Sequence, residues 1–172
     1  MHIGGEGTVD QLATGVKLAL AKEKEIRAAN PSPIHGFGPA VASPCTISVP
    51  PLEAIFGVKA QTKDGMAKFV FGRAATLDCG CTVGAEMGVN TWAAFAGSAG
   101  DAVVDGDFAV HENELQVVLK SLRASGINIV AIHHHMTGET PRYLFLHYWG
   151  RGAAASLAHA LRKALDAEAT VK

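Results

Sequence analysis

The chain has 172 residues, 48% apolar and only 18% charged, with 15 Lys and Arg against 16 Asp and Glu. That length suits one domain, or one domain with an appendage, and can bury a core without staples. The balanced charge argues against a nucleic-acid-binding surface and against an acidic disordered chain, and no apolar run reaches the ~18 residues of a membrane span.

Residues 1–6 lack the charged and apolar regions of a signal peptide, which makes the cytoplasm the default location. Residues 1–21 align without a gap on residues 146–166. His2, Gly5, Gly7, Leu12, Ala13, Ala19 and Leu20 match His147, Gly150, Gly152, Leu157, Ala158, Ala164 and Leu165. Helix periodicity does not demand the shared His-x-x-Gly-x-Gly lead-in, so this is read as an internal repeat. Each copy reads as a strand end, a glycine turn and a helix, with Thr8 as N-cap of the first. Residues 1–25 are therefore expected to be the strand-helix remnant of a preceding repeat. Residues 26–50, with Pro31, Pro33, Pro39 and Pro44, read as a linker, and residues 51–172 as a complete repeat unit.

Within that unit, residues 51–57 predict a short helix, and residues 58–62 and 66–72 a hairpin around Lys63-Asp64-Gly65. Residues 73–88 are irregular and carry Cys79-Gly80-Cys81. This pair reads as two inert loop thiols, or as a soft-metal or redox pair. Strands are predicted at 90–96 and 102–110, a helix at 112–125 ending at Gly126, strands at 127–133 and 142–149, and a helix at 153–168. The order is β-α-β-β-α. It suggests an α+β fold with a ferredoxin-like core, an antiparallel sheet and its helices on one face. Both faces of the last strand are apolar: Leu144 and Leu146 on one, Tyr143, Phe145, His147 and Trp149 on the other. A second sheet, from another repeat or another subunit, is expected to cover the second face, which points to a homodimer.

The chain has eight histidines, three of them consecutive. His133 and His135, at i and i+2 on a strand end, point the same way. The turn after them returns the chain so that His147 lies on the next strand. His147 shares their face only if the hairpin pairs odd residues with odd residues. Glu139, in the turn, is placed to serve as a further ligand or as a general base. Three imidazoles and a carboxylate suit a divalent transition metal, zinc first. His-x-His-x-x-x-Glu followed by a later His is also the cupin pattern, but the long helices on both sides argue against an all-β barrel. His111 is read as a helix boundary residue, with a fourth-ligand role as the alternative, and Asp105-Gly106-Asp107 as a bulge or turn. Gly150-Arg151-Gly152 reads as a tight turn rather than an anion site, and Arg142 and Arg151 as surface cations able to pair with Glu139 or an acidic substrate.

Three stretches, Asn90-Thr-Trp-Ala-Ala-Phe95, Gly106-Asp-Phe108 and His133-x-His135-Met136 with Glu139, Pro141 and His147, resemble the LppY/LpqO family of bacterial proteins, also labelled domain of unknown function 1259. The resemblance covers roughly residues 50–170. It implies a chain typically twice as long, built of two related halves, so that this sequence would begin inside the first half. Some members are exported lipoproteins. Asn is usual in the family where this sequence has His134, and the Cys79/Cys81 pair departs from its pattern.

The functional expectation is a divalent-metal-binding protein, with a hydrolase or lyase acting on a small molecule as its catalytic form, His133, His135 and His147 as ligands and Glu139 catalytic. The rival reading is a non-catalytic small-ligand or sensing domain whose pocket lies between paired sheets.

Overall fold

The computed structural model describes residues 5–30 and 39–171, and the chain divides into two units, residues 1–40 and 41–172. The first unit contains helix α1 (Val9–Ala29). Thr8 caps it reciprocally: its hydroxyl accepts from the Gln11 N–H, and the Gln11 side chain accepts from the Thr8 N–H at 2.9 Å. The helix continues into the stretch that composition marks as linker. The strand end expected before it, with His2, lies outside the described residues, as does His35.

The second unit contains α2 (Val49–Phe56), β1 (Gln61–Lys63), β2 (Met66–Gly72), β3 (Ala75–Thr76), β4 (Thr82–Val83), β5 (Asn90–Gly97), β6 (Ala102–His111), α3 (Glu112–Ala124), β7 (Asn128–His133), β8 (Tyr143–Gly152) and α4 (Ala154–Glu168). The fold is α+β. Six strands form an antiparallel sheet in the order β1-β2-β5-β6-β8-β7, and β3 pairs with β4. Because β6 and β7 both run antiparallel to β8, they are parallel to each other, and α3 makes the crossover between them.

The local causes are plain in the sequence. Acidic Glu112 and Glu114 favour the start of α3, and Gly126 at φ +78° ends it. Asp64 and Gly65, both at positive φ, make the tight β1–β2 turn. In the aligned stretches, α1 follows Thr8 and α4 follows Ala153, the position aligned with it. The matching stripes fare differently. Leu157, Leu161 and Leu165 are buried in α4, whereas Leu12, Val16 and Leu20 of α1 are exposed.

One face of the sheet carries the main core. Phe69, Phe95, Val104, Phe108, Leu146 and Tyr148 join the apolar sides of α2, α3 and α4 in a single cluster. Each such side chain contributes about 1.5–3 kcal/mol by leaving water. On the opposite face a smaller cluster joins Ala109, Tyr143 and Phe145 to Ala75, Val83 and Val89. The chain's own β3–β4 segment thus covers one end of that face. Further along, Val70, Trp92, Val103 and Trp149 are half-buried.

Arg73 ties these layers together. Its guanidinium donates to Glu114 and Glu168, each at 2.7 Å, and to the Ala109 carbonyl at 3.1 Å. One cation between two carboxylates leaves the trio short of positive charge. Burial pushes the Glu168 carboxyl up to about 7, against the pull of Arg73. A carboxyl raised on folding holds its proton in the native state while the unfolded chain, near 4.5, releases it. Stability is therefore expected to fall as pH rises from about 4.5 to 7 and to level off above. Glu168→Gln should abolish that fall and stabilise the chain at pH 8 relative to pH 5, by about 1–3 kcal/mol. Urea midpoints at the two pH values measure it.

Candidate metal centre

The second face of the sheet gathers the site by cross-strand register. In β6 and β8, Asp107 stands directly opposite His147, and Ala109 opposite Phe145. In β7 and β8, Ala131 stands opposite His147, and His133 opposite Phe145. The hairpin therefore pairs odd with odd, and His133 and His147 share a face. A register irregularity between Ile129 and Ala131 shifts the β7–β8 pairing by one residue and sets this parity. His135, two residues beyond His133, lies past the end of β7 and lays its ring on Phe145, centroids 3.3 Å apart and planes at 5°.

The result is a compact group. One ligand atom from each of Asp107, His133, His135 and His147 lies within 4.8 Å of all the others. His135 Nε2 is 3.3 Å and His147 Nε2 3.8 Å from Asp107 Oδ2. The His133 ring sits between the other two, its centroid 5.1 Å from that of His135 and 4.8 Å from that of His147. His133 Nδ1 lies 3.3 Å from the His134 carbonyl, which can only accept. That contact puts the proton on Nδ1 and leaves Nε2 of the neutral ring with its lone pair.

Asp107 is the member that sequence reasoning missed. Its carboxylate is buried, at 1% exposure, and Oδ1 accepts no hydrogen bond among the described residues. A buried carboxylate oxygen without a donor is costly unless a cation meets it. The expected bulge is not there; β6 pairs regularly through Asp105-Gly106-Asp107. Gly106 has its own reason to be glycine. A Cβ there would overlap the Tyr148 hydroxyl and the Trp92 carbonyl, which hydrogen-bond at 2.9 Å. Burial pushes the Tyr148 phenol well above its usual range, and the charges of Asp105 and Asp107 add to this. Partial burial also raises the Asp105 carboxyl, against the pull of His147.

A family model described as Domain of Unknown Function (DUF1259) matches residues 50–167. The chain belongs to that family. No curated protein and no solved structure matches it.

All four members of the cluster, and Glu139, lie within the DUF1259 match. Glu139 is buried, its carboxylate accepts the Tyr143 N–H at 3.3 Å, and it stands outside the four-residue group. His134 is turned away: its Nδ1 donates to the Tyr143 carbonyl at 2.9 Å and its Nε2 accepts from Arg142 at 3.2 Å. His111 is the N-cap of α3, where its backbone N–H donates to Glu114 at 2.7 Å and its ring lies beside Tyr143. Arg151 pairs with Asp101 through two contacts of 2.8 Å. Gly150 and Gly152 lie within β8, not in the tight turn expected there, and His159 is exposed on α4. Among the described residues, no helix is long and apolar enough to cross a membrane.

Proposed function

We propose that this domain holds one divalent transition metal, zinc first, on Asp107, His133, His135 and His147. The observation that carries the reading is the convergence of these four side chains from β6, the end of β7, the loop after it and β8. Three imidazoles with one carboxylate suit zinc, iron, nickel or copper, and the buried Asp107 supplies the charge that a divalent cation needs. Such an ion, with an open coordination position, supplies Lewis acidity and lowers the pKa of bound water, the chemistry of a hydrolase or lyase acting on a small molecule. In that catalytic reading Glu139 is the acid–base residue, held by the Tyr143 N–H on the loop that follows His135. Glu139→Gln would then abolish turnover of an identified substrate while leaving metal content unchanged. The crossover of α3 between β6 and β7, around β8, supports a ferredoxin-like reading of this half of the sheet.

The half-buried Trp92, Val103 and Trp149 on the same face favour a second reading. There, a small apolar ligand between paired sheets, as in a homodimer, occupies this face and the histidines only line it. Thermal unfolding with added zinc separates the two. Under the metal reading, zinc at a hundred times its dissociation constant stabilises the chain by about 2.7 kcal/mol, and a His133→Ala/His135→Ala variant loses that gain. Equal zinc response in both proteins would refute it.

A further inference from the structure

Outside the histidine cluster, the chain carries a second group of reactive side chains at the tip of β3–β4. Cys79 and Cys81 are both exposed and flank Gly80, whose φ of +77° bends the chain. The turn is closed by the Gly80 N–H on the Leu77 carbonyl at 2.8 Å and by the Leu77 N–H on the Cys81 carbonyl at 2.9 Å. Two residues apart, the Cα atoms are at most about 7 Å apart in extended chain, and a turn brings them into the range that a disulfide spans.

We propose that Cys79 and Cys81 form a reversible redox site, a dithiol that small-molecule disulfides of the glutathione type oxidise to an intramolecular disulfide. Cys79 is the attacking thiol. The adjacent Cys81 holds the Cys79 thiol below the usual thiol range, against burial and the Asp78 carboxylate, while Cys79 pushes the Cys81 thiol up. In the first step the Cys79 thiolate attacks one sulfur of the small disulfide. That S–S bond breaks, one small thiolate leaves and takes a proton from water, and a mixed disulfide forms on Cys79. In the second step Cys81 gives its proton to water and attacks the Cys79 sulfur, and the second small thiol leaves. Two protein thiols are oxidised and one small disulfide is reduced to two thiols.

The site is anchored rather than loose. Thr76 and Thr140 exchange backbone hydrogen bonds of 2.8 and 2.7 Å, and Asp78 packs so close to Gly138 that a Cβ there would overlap its carboxylate. The dithiol turn therefore rests on the loop that follows His135.

Reduced protein treated with oxidised glutathione, quenched in acid and mapped by mass spectrometry tests this. The expected product is a chain lighter by two hydrogens, with no adduct, Cys79 joined to Cys81 and Cys45 still a thiol. Cys81→Ser is expected to trap glutathione on Cys79, and Cys79→Ser to react more slowly. A stable glutathione adduct on the unmutated chain, a disulfide that includes Cys45, or unreacted Cys79 and Cys81 would each overturn the proposal. The readout needs no metal, so it stands or falls apart from the histidine site.

Discussion

Asp107→Asn is expected to reverse sign between the metal-free and metal-bound protein. Without metal, the wild-type carboxylate is 1% exposed and its Oδ1 accepts no hydrogen bond among the described residues. A neutral amide of the same shape removes that desolvated charge, so the metal-stripped variant should be more stable, by about 1–3 kcal/mol. With metal, the variant loses the one anionic ligand of the group. Removing an outer partner of a metal ligand alone costs about 10–100-fold in affinity, so losing this inner one should cost on the order of 100-fold or more. Zinc titration and urea unfolding of the same two proteins give both numbers. A variant less stable in its stripped form, yet equal in zinc affinity, would mean that Asp107 serves only the fold.

Gly106→Ala should be the most damaging single change near the site. The new methyl would enter space held by the Tyr148 hydroxyl and the Trp92 carbonyl. Tyr148 cannot yield cheaply, because it is buried at 1% exposure and packs against Phe108 with ring centroids 5.5 Å apart. Overpacking at such a spot costs typically 1–3 kcal/mol, and the lost buried hydrogen bond adds about 1–3 kcal/mol. The combined destabilisation is expected at about 3 kcal/mol or more. Because Asp107 is the next residue, zinc affinity should fall as well. Chemical denaturation with and without zinc reads both effects. A loss below about 1 kcal/mol would show that β6 and β8 separate easily here.

The contrast between α4 and the β7–β8 hairpin shows what a sequence can carry. In α4, Leu157, Leu161, Ala164 and Leu165 repeat with the helical period, and the structure buries all four. The same clarity holds for β8, whose even residues enter the main core and whose Tyr143 and Phe145 enter the second cluster. The parity of His147 was another matter. It depends on an irregular residue in β7 and on the length of the 134–142 connection, neither of which leaves a periodic trace. Asp107 was harder still. It lies on a different strand from the histidines and meets His147 only through the β6–β8 register. The one signal available was an acid set inside an apolar strand, which composition alone also explains as a turn. Glu139, expected as a ligand or general base, stands outside the four-residue group, with its carboxylate accepting the Tyr143 N–H.

Elemental analysis of untagged protein, purified from zinc-containing medium, puts the metal centre to its most direct trial. The expected result is one transition-metal ion per chain, lost in the folded His133→Ala/His135→Ala variant. Folded wild-type protein that carries no metal and takes up no added zinc, iron, nickel or copper would contradict a metal centre at Asp107, His133, His135 and His147.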